Sequence, residues 1–219
     1  MLSFLSQHPS LRVAAAILAC ALAAPVLADE ISLDYDDYYE RLETLKPFQH
    51  LTIAVRAVNE DTHAPCATSQ VYLKTRKGTE LLPSSDNGIV ALQAKTDLYD
   101  NRTKVIAKTT ENCDFVLEVG QKAPESTGMT YSELMVAVPE FRTLLESNSS
   151  MFSSQTLNGI SLHYPKAAPG SITIHAKAGE QTYTSQNGKL DLPVNDELLK
   201  ENPSVTLSAL PEQILPLAQ

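Results

Sequence analysis

Cysteine is scarce in these 219 residues, with three in all. Cys20 lies in an apolar N-terminal stretch, which leaves Cys66 and Cys113. One pair supplies too few ligands for a zinc centre, and the Cys-x-x-Cys spacing of zinc and redox sites is missing. Histidine is equally uninformative: His50, His63, His163 and His175 are scattered, with no His-x3-His pair and no His-Glu-x-x-His helix. A Gly-x-Ser-x-Gly elbow, a phosphate loop and a dinucleotide fingerprint are also absent, so no cofactor is implied. Lys and Arg number 17 against 26 Asp and Glu, for a net charge of -9 and no run of cations. Such a chain repels phosphate backbones, which excludes nucleic acid as a partner class. Beyond the N-terminus no apolar run approaches the length of a membrane span.

What is there begins with a leader. Arg12 precedes an apolar run from Val13 to Ala24, closed by Pro25 and the small-residue exit Val26-Leu27-Ala28. This is the layout of a cleaved secretory signal over residues 1–28, with a mature chain of about 190 residues, enough for one large domain or two small ones. Ile17 to Cys20, "ILAC", gives an alternative: a lipobox that would anchor the protein through Cys20. In an oxidising compartment the remaining pair, Cys66 and Cys113, is expected to form a disulfide. Closing a loop of about 48 residues is worth roughly 4 kcal/mol in the chain-entropy treatment.

The second positive signal is a repeat. "SDNGIVAL" at Ser85 to Leu92 matches "SQNGKLDL" at Ser185 to Leu192. Leu98 and Val105 extend the match to Leu198 and Val205, and Asp97 meets Glu197. Upstream, "QVYLKTRKG" ending at Gly78 faces "SITIHAKAG" ending at Gly179, one residue out of phase. Val71 and Leu73, like Ile172 and Ile174, alternate with polar neighbours at strand period. Asn87-Gly88 and Asn187-Gly188 then supply the positive φ of hairpin turns. Tyr39, Leu42 and Pro47 share the spacing of Tyr131, Leu134 and Pro139, so a helix precedes each set of strands. "TYSE", Thr130 to Glu133, carries a capping box, and Pro139 is suited to start a further short helix, "PEFRTLLES".

The expected fold is therefore α+β and mostly β. It consists of two tandem related modules, 29–119 and 130–219, each a short helix followed by a small antiparallel β-sandwich. A polar linker, 120–129, joins them, and two units this small are prone to share one core.

"NCDFVLEV", "TYSELMVAVPEF", "MFSS" at Met151 to Ser154 and "LNGISLHY" together resemble an exported bacterial family known only as domain of unknown function 2987. The resemblance implies export and a domain type over nearly the whole mature chain. It implies no activity.

Candidate sites are few. Tyr35, Tyr38 and Tyr39 share a helix face with Leu42 and Leu45, which packs on a sheet or, if exposed, suits a partner surface. The acidic run Asp34 to Glu40 reads as a solvated helix start, because its oxygens lack calcium-loop spacing and glycine. Asp97 and Glu197 are the carboxylates an envelope hydrolase would use, but their equivalence in the repeat favours a capping role. Ser153 and Ser154 lie in a turn-like segment where catalysis would need a histidine such as His163 or His175 brought from elsewhere. The composite expectation is a periplasmic, non-enzymatic binding or accessory module whose partner is an envelope protein or polymer. An envelope hydrolase or a lipid-anchored assembly factor stands as the alternative.

Overall fold

The computed structural model describes residues 29–66, 68–85, 87–99, 102–147, 157–165 and 168–218. The expected leader over residues 1–28, with Cys20, and Ser153 and Ser154 lie outside them. The chain opens with strand β1 (Asp29–Asp34) and helix α1 (Tyr35–Thr44). Strands β2 (Leu51–Asn59), β3 (Thr68–Thr75), β4 (Gly78–Leu82) and β5 (Ile89–Val90) follow. A 3-10 turn at Thr96–Leu98 leads into β6 (Lys104–Thr109) and β7 (Cys113–Gln121). Then come β8 (Gly128–Thr130), α2 (Tyr131–Leu134), α3 (Val138–Ser147), β9 (Leu157–His163), β10 (Ser171–Ala176) and β11 (Gly179–Thr184). The chain ends with β12 (Lys189–Pro193), α4 (Asp196–Glu201), β13 (Ser204–Leu207) and β14 (Gln213–Ala218).

These strands form three antiparallel sheets, so the fold is mostly β with few helices. Two have four strands, in the orders β1-β6-β3-β4 and β8-β13-β10-β11; the third runs β12-β9-β14-β7-β2-β5. The two four-stranded orders correspond strand for strand along the chain. In the six-stranded sheet, Val55 pairs with Leu117 and Val90 just as Leu162 pairs with Ile214 and Leu190. Alternation explains which side chains face inward. Leu51, Ile53, Val55 and Ala57 of β2, and Ile172 and Ile174 of β10, are buried, as strand period requires. One hydrophobic cluster takes residues from both halves.

Several expectations need correction here. The stretch 120–129 is not a free linker, because Gly120 and Gln121 close β7 and Gly128 opens β8. Pairing of Ile214 with Gln121 also joins β14 to β7, so the halves share the six-stranded sheet rather than each closing a separate sandwich. The Asn-Gly turns are tight, as read, but they are corners. Gln186 and Lys189 exchange backbone bonds of 2.8 and 3.0 Å around Asn187 and Gly188, whose φ values are 53° and 78°. In the first copy Gly88 (φ 73°) donates to the Ser85 carbonyl and Ser85 to that of Ile89. Yet β4 and β11 pair with β3 and β10, while β5 and β12 pair with β2 and β9. Each turn therefore passes the chain from one sheet to the other.

The helix match slips by one turn. The Tyr35 hydroxyl donates to the Gln93 carbonyl (2.9 Å) and accepts from Lys95 N–H (2.6 Å). The Tyr131 hydroxyl donates to the Pro193 carbonyl (3.3 Å) and accepts from Asn195 N–H (3.1 Å). Tyr35 N–H and Tyr131 N–H reach the Thr103 and Pro203 carbonyls, both at 2.9 Å. The counterpart of Tyr131 is thus Tyr35, not Tyr39. Residues four apart lie on one helix face, and both positions are tyrosine, so spacing alone could not set the phase. The Thr130–Glu133 capping box is present, and α3 begins one residue before Pro139.

Candidate functional site

Polar side chains concentrate where the two halves meet on the six-stranded sheet. Alternation aims Arg56 of β2 and Glu118 of β7 at the face opposite the core residues Val55 and Ile53, and the register sets them diagonally across the ladder, Arg56 opposite Val116 and Glu118 opposite Ala54. Arg56 Nη1 lies 3.2 Å from a Glu118 carboxylate oxygen, with side-chain exposures of 11 % and 24 %. Its Nε donates to the Asn87 carbonyl (3.1 Å). From the other half, Gln213 of β14 donates through Nε2 to Glu118 (2.9 Å). The Asn87 amide donates across to the Tyr164 carbonyl (2.9 Å) and to Glu212 (2.6 Å). A second tie runs from α3: Glu140 accepts from the backbone N–H of Gln49 and His50 and lies 2.7 Å from His50 Nδ1. Burial pushes the Glu140 carboxyl upward, and these donors with the His50 charge outweigh it, so it sits below the usual carboxylate range.

Beside this seam lie Ser161 and His163 of β9 and Lys189 and Asp191 of β12. Ser161 Oγ is 3.3 Å from His163 Nε2. Burial, and next the Arg56 charge, hold the His163 imidazole below its ordinary value. Burial raises Asp191, but hydrogen bonds from Ser161 and Lys189 outweigh it and leave the carboxyl lowered. The order of contact is carboxylate to serine to imidazole. A nucleophilic triad needs the carboxylate on the far nitrogen of the histidine, to orient it and stabilise its charged form. Ser161 is also buried, at 3 % exposure. The cluster works as a hydrogen-bonded strut across β9 and β12.

The remaining candidates fall elsewhere. Tyr35 and Tyr38 are core residues at 0 % and 4 % exposure, so the reading of Tyr35, Tyr38 and Tyr39 as an open partner surface is corrected. Their hydroxyls hold the chain at 92–95 instead. Only Tyr39 is partly exposed, stacked near Tyr35 and 5.1 Å from the Tyr99 ring. Burial raises the hydroxyl pKa of Tyr35, Tyr38 and Tyr131 and takes Tyr164 to about 12. Asp97 and Glu197 sit in the first turns of the 3-10 segment and α4, both exposed; the cap of α4 is Asn195. Asp34 pairs with Lys104 (3.0 Å), and Asp36 and Asp37 occupy the first turn of α1. His175 bonds Glu180 and Thr206 on an outer face, and His63 is exposed.

Cys66 and Cys113 are joined, with an S–S distance of 1.98 Å. Glu111 completes the one cluster of three metal-capable side chains among the described residues, all within 4.8 Å, but both sulfurs are taken by the disulfide. No helix among the described residues is long and apolar enough to cross a membrane.

Sequence reading missed Arg56, Glu118, Gln213 and Glu140. Arg56, Glu118 and Gln213 are single polar residues within apolar stretches of their strands, which marks outward positions, and Glu140 is one of several polar residues on its helix. Gln213 reaches Glu118 through a strand pairing between halves, and Glu140 reaches His50 through helix packing, neither of which a local pattern encodes.

A family model described as "Protein of unknown function (DUF2987)" matches residues 27–164, and the chain belongs to that family. No curated protein and no solved structure matches it.

Proposed function

We propose that this is an exported protein of the bacterial envelope, a tandem pair of related modules that serves as a non-enzymatic binding or accessory unit in the periplasm. The Cys66–Cys113 disulfide carries the reading. Such bonds persist in oxidising compartments, and this one follows a leader-like N-terminus. The correspondence of strand orders, with Tyr35 and Tyr131 making the same pair of bonds, supports the tandem description. The Ser161 cluster supports a structural role over a hydrolytic one, since its carboxylate is spent on the serine.

Fractionation of a bacterial host, with intact-mass analysis of the recovered protein, tests export. The expected product is periplasmic, begins at Asp29 and lacks both thiol hydrogens. A cytoplasmic product with free Cys66 and Cys113 would overturn the reading, and a diacylated N-terminal Cys20 would replace it with a lipid-anchored factor. A serine-reactive probe with peptide, ester and glycan substrates tests the second half. Stoichiometric labelling of Ser153, Ser154 or Ser161 with turnover would establish a hydrolase.

A further inference from the structure

The two four-stranded sheets share a strand order but present different outer faces. In the second, one cross-strand row is Thr182, Thr173 and Thr206. The Thr173 and Thr182 hydroxyls lie 3.1 Å apart, a hydroxyl ladder that water satisfies. The equivalent row of the first sheet is Leu81, Tyr72 and Ile106, of which Ile106 is buried and Tyr72 half-buried. Leu81 is 64 % exposed, although it sits in a strand. Lys74 and Lys104 flank the row on one side and Lys108 on the other, while Arg76 and Lys77 form the exposed tip of the β3–β4 hairpin. Lys104 pairs with Asp34, but Lys74, Arg76 and Lys77 make no ion pair among the described residues. In a chain of net charge -9 this corner is locally positive.

β4 is also a free edge of its sheet. On its inner side a cleft of about 250 Å³ opens between β4 and the segment after β5, lined by Leu73, Leu82, Leu92, Leu98, Glu80 and Lys95. The edge thus has an apolar cleft behind it, an apolar row before it and unpaired cations at its tip. A strand added at such an edge gains main-chain hydrogen bonds, and its alternate side chains face opposite sides. One set would meet the cleft and the other the lysines.

We propose that β4 is a docking edge for an extended acidic segment of a partner protein. The segment adds as a fifth strand, sets one alternate row of apolar side chains against the cleft, and lays the carboxylates of the other row across Leu81 onto Lys74, Arg76 and Lys77. This deepens the binding-module reading above and rests on it. The equivalent edge β11, exposed along its length with the threonine row beside it, serves as an internal control.

The test titrates the full oxidised mature chain with a labelled seven-residue peptide alternating aspartate with valine or leucine, and with its lysine-for-aspartate twin. Fluorescence anisotropy should show the acidic peptide bound at least about tenfold more tightly, with the difference shrinking as salt rises. Leu81→Thr with Tyr72→Thr copies the row of the second half, keeps strand-forming residues and should weaken binding by about tenfold or more. Lys74→Glu with Lys77→Glu should do the same. Hydrogen exchange should slow in β4 on binding and stay unchanged in β11. Melting curves confirm that each variant is folded. Equal affinity for the two peptides, no saturable binding at millimolar peptide, or binding indifferent to both pairs of substitutions overturns the assignment. So does adsorption to phosphatidylglycerol vesicles through Leu81 and Lys74 without peptide binding, which gives the face to a lipid surface. Peptide recovered intact but unbound defeats the docking edge alone; peptide recovered cleaved defeats the binding-module reading itself.

Discussion

Replacing Gly88 by alanine should cost far more than the same change at Gly78, although both glycines have positive φ, at +73° and +141°. At either site an L-residue pays about 1–2 kcal/mol for the left-handed backbone. Around Gly78 nothing lies within 4 Å of an added Cβ, so that backbone cost is the whole effect. At Gly88 the new Cβ falls 2.5 Å from the Ala57 carbonyl oxygen. That carbonyl cannot retreat freely, because it accepts the Cys66 N–H at 3.0 Å while Ala57 N–H is held by the Gly88 carbonyl at 2.9 Å. Overpacking against fixed backbone adds about 1–3 kcal/mol. Gly88→Ala should therefore lose about 3 kcal/mol and Gly78→Ala about 1 kcal/mol, or melting-point drops of about 6–12 °C and 2–4 °C for a chain of this size. Urea unfolding of the oxidised protein, followed by circular dichroism, gives both values at unchanged slope. Equal losses at the two sites would refute the close approach of the corner turn to β2.

Tyr35→Phe and Tyr131→Phe each remove a hydroxyl that bridges a carbonyl and an amide, and each should cost about 1–2 kcal/mol by denaturant titration. Tyr39→Phe should stay within about 0.5 kcal/mol. Glu140→Ala strips acceptors from Gln49 and His50 and should cost about 2 kcal/mol. Because the Glu140 carboxyl is lowered in the fold, its contribution is whole above the ordinary carboxylate pKa and disappears as pH falls through the folded value. His163 is also lowered, from 6.5, so the unfolded chain binds its proton first as acid is added. Stability carried by the neutral ring is complete above pH 6.5 and is lost as pH falls from there through the folded value, and His163→Gln should flatten that slope. Replacing Cys66 and Cys113 by serine should cost roughly 4 kcal/mol, checked against a non-reduced peptide map that recovers the linked pair.

Features set by neighbours in sequence were legible. The capping box at Thr130 and Glu133, the alternation of Val71 with Leu73 and the positive φ of Gly88, Asn187 and Gly188 all depend on a few adjacent residues. The cysteine count, with the oxidising compartment expected from the N-terminal residues, was enough to pair Cys66 with Cys113. Features set by distant pairing were not legible. Whether an Asn-Gly turn closes a hairpin or turns a corner depends on which strand captures β5 or β12, and Val90 and Leu190 reach their partners Val55 and Leu162 across the fold. The phase of α1 against α2 was hidden because Tyr35 and Tyr39 are equivalent by periodicity, and only the partners of their hydroxyls tell them apart. The polar seam was invisible for the same reason: Arg56, Glu118 and Gln213 meet only once β7 lies beside β14.

Fusion of the two halves through β7 and β14 is tested most directly by differential scanning calorimetry of the oxidised protein. The shared sheet, the common core and the ties through Glu118, Asn87 and Glu140 predict a single transition whose calorimetric and van't Hoff enthalpies agree. Glu118→Ala should then lower that one transition as a whole. Two resolved transitions, with only one of them moved by Glu118→Ala, would contradict it.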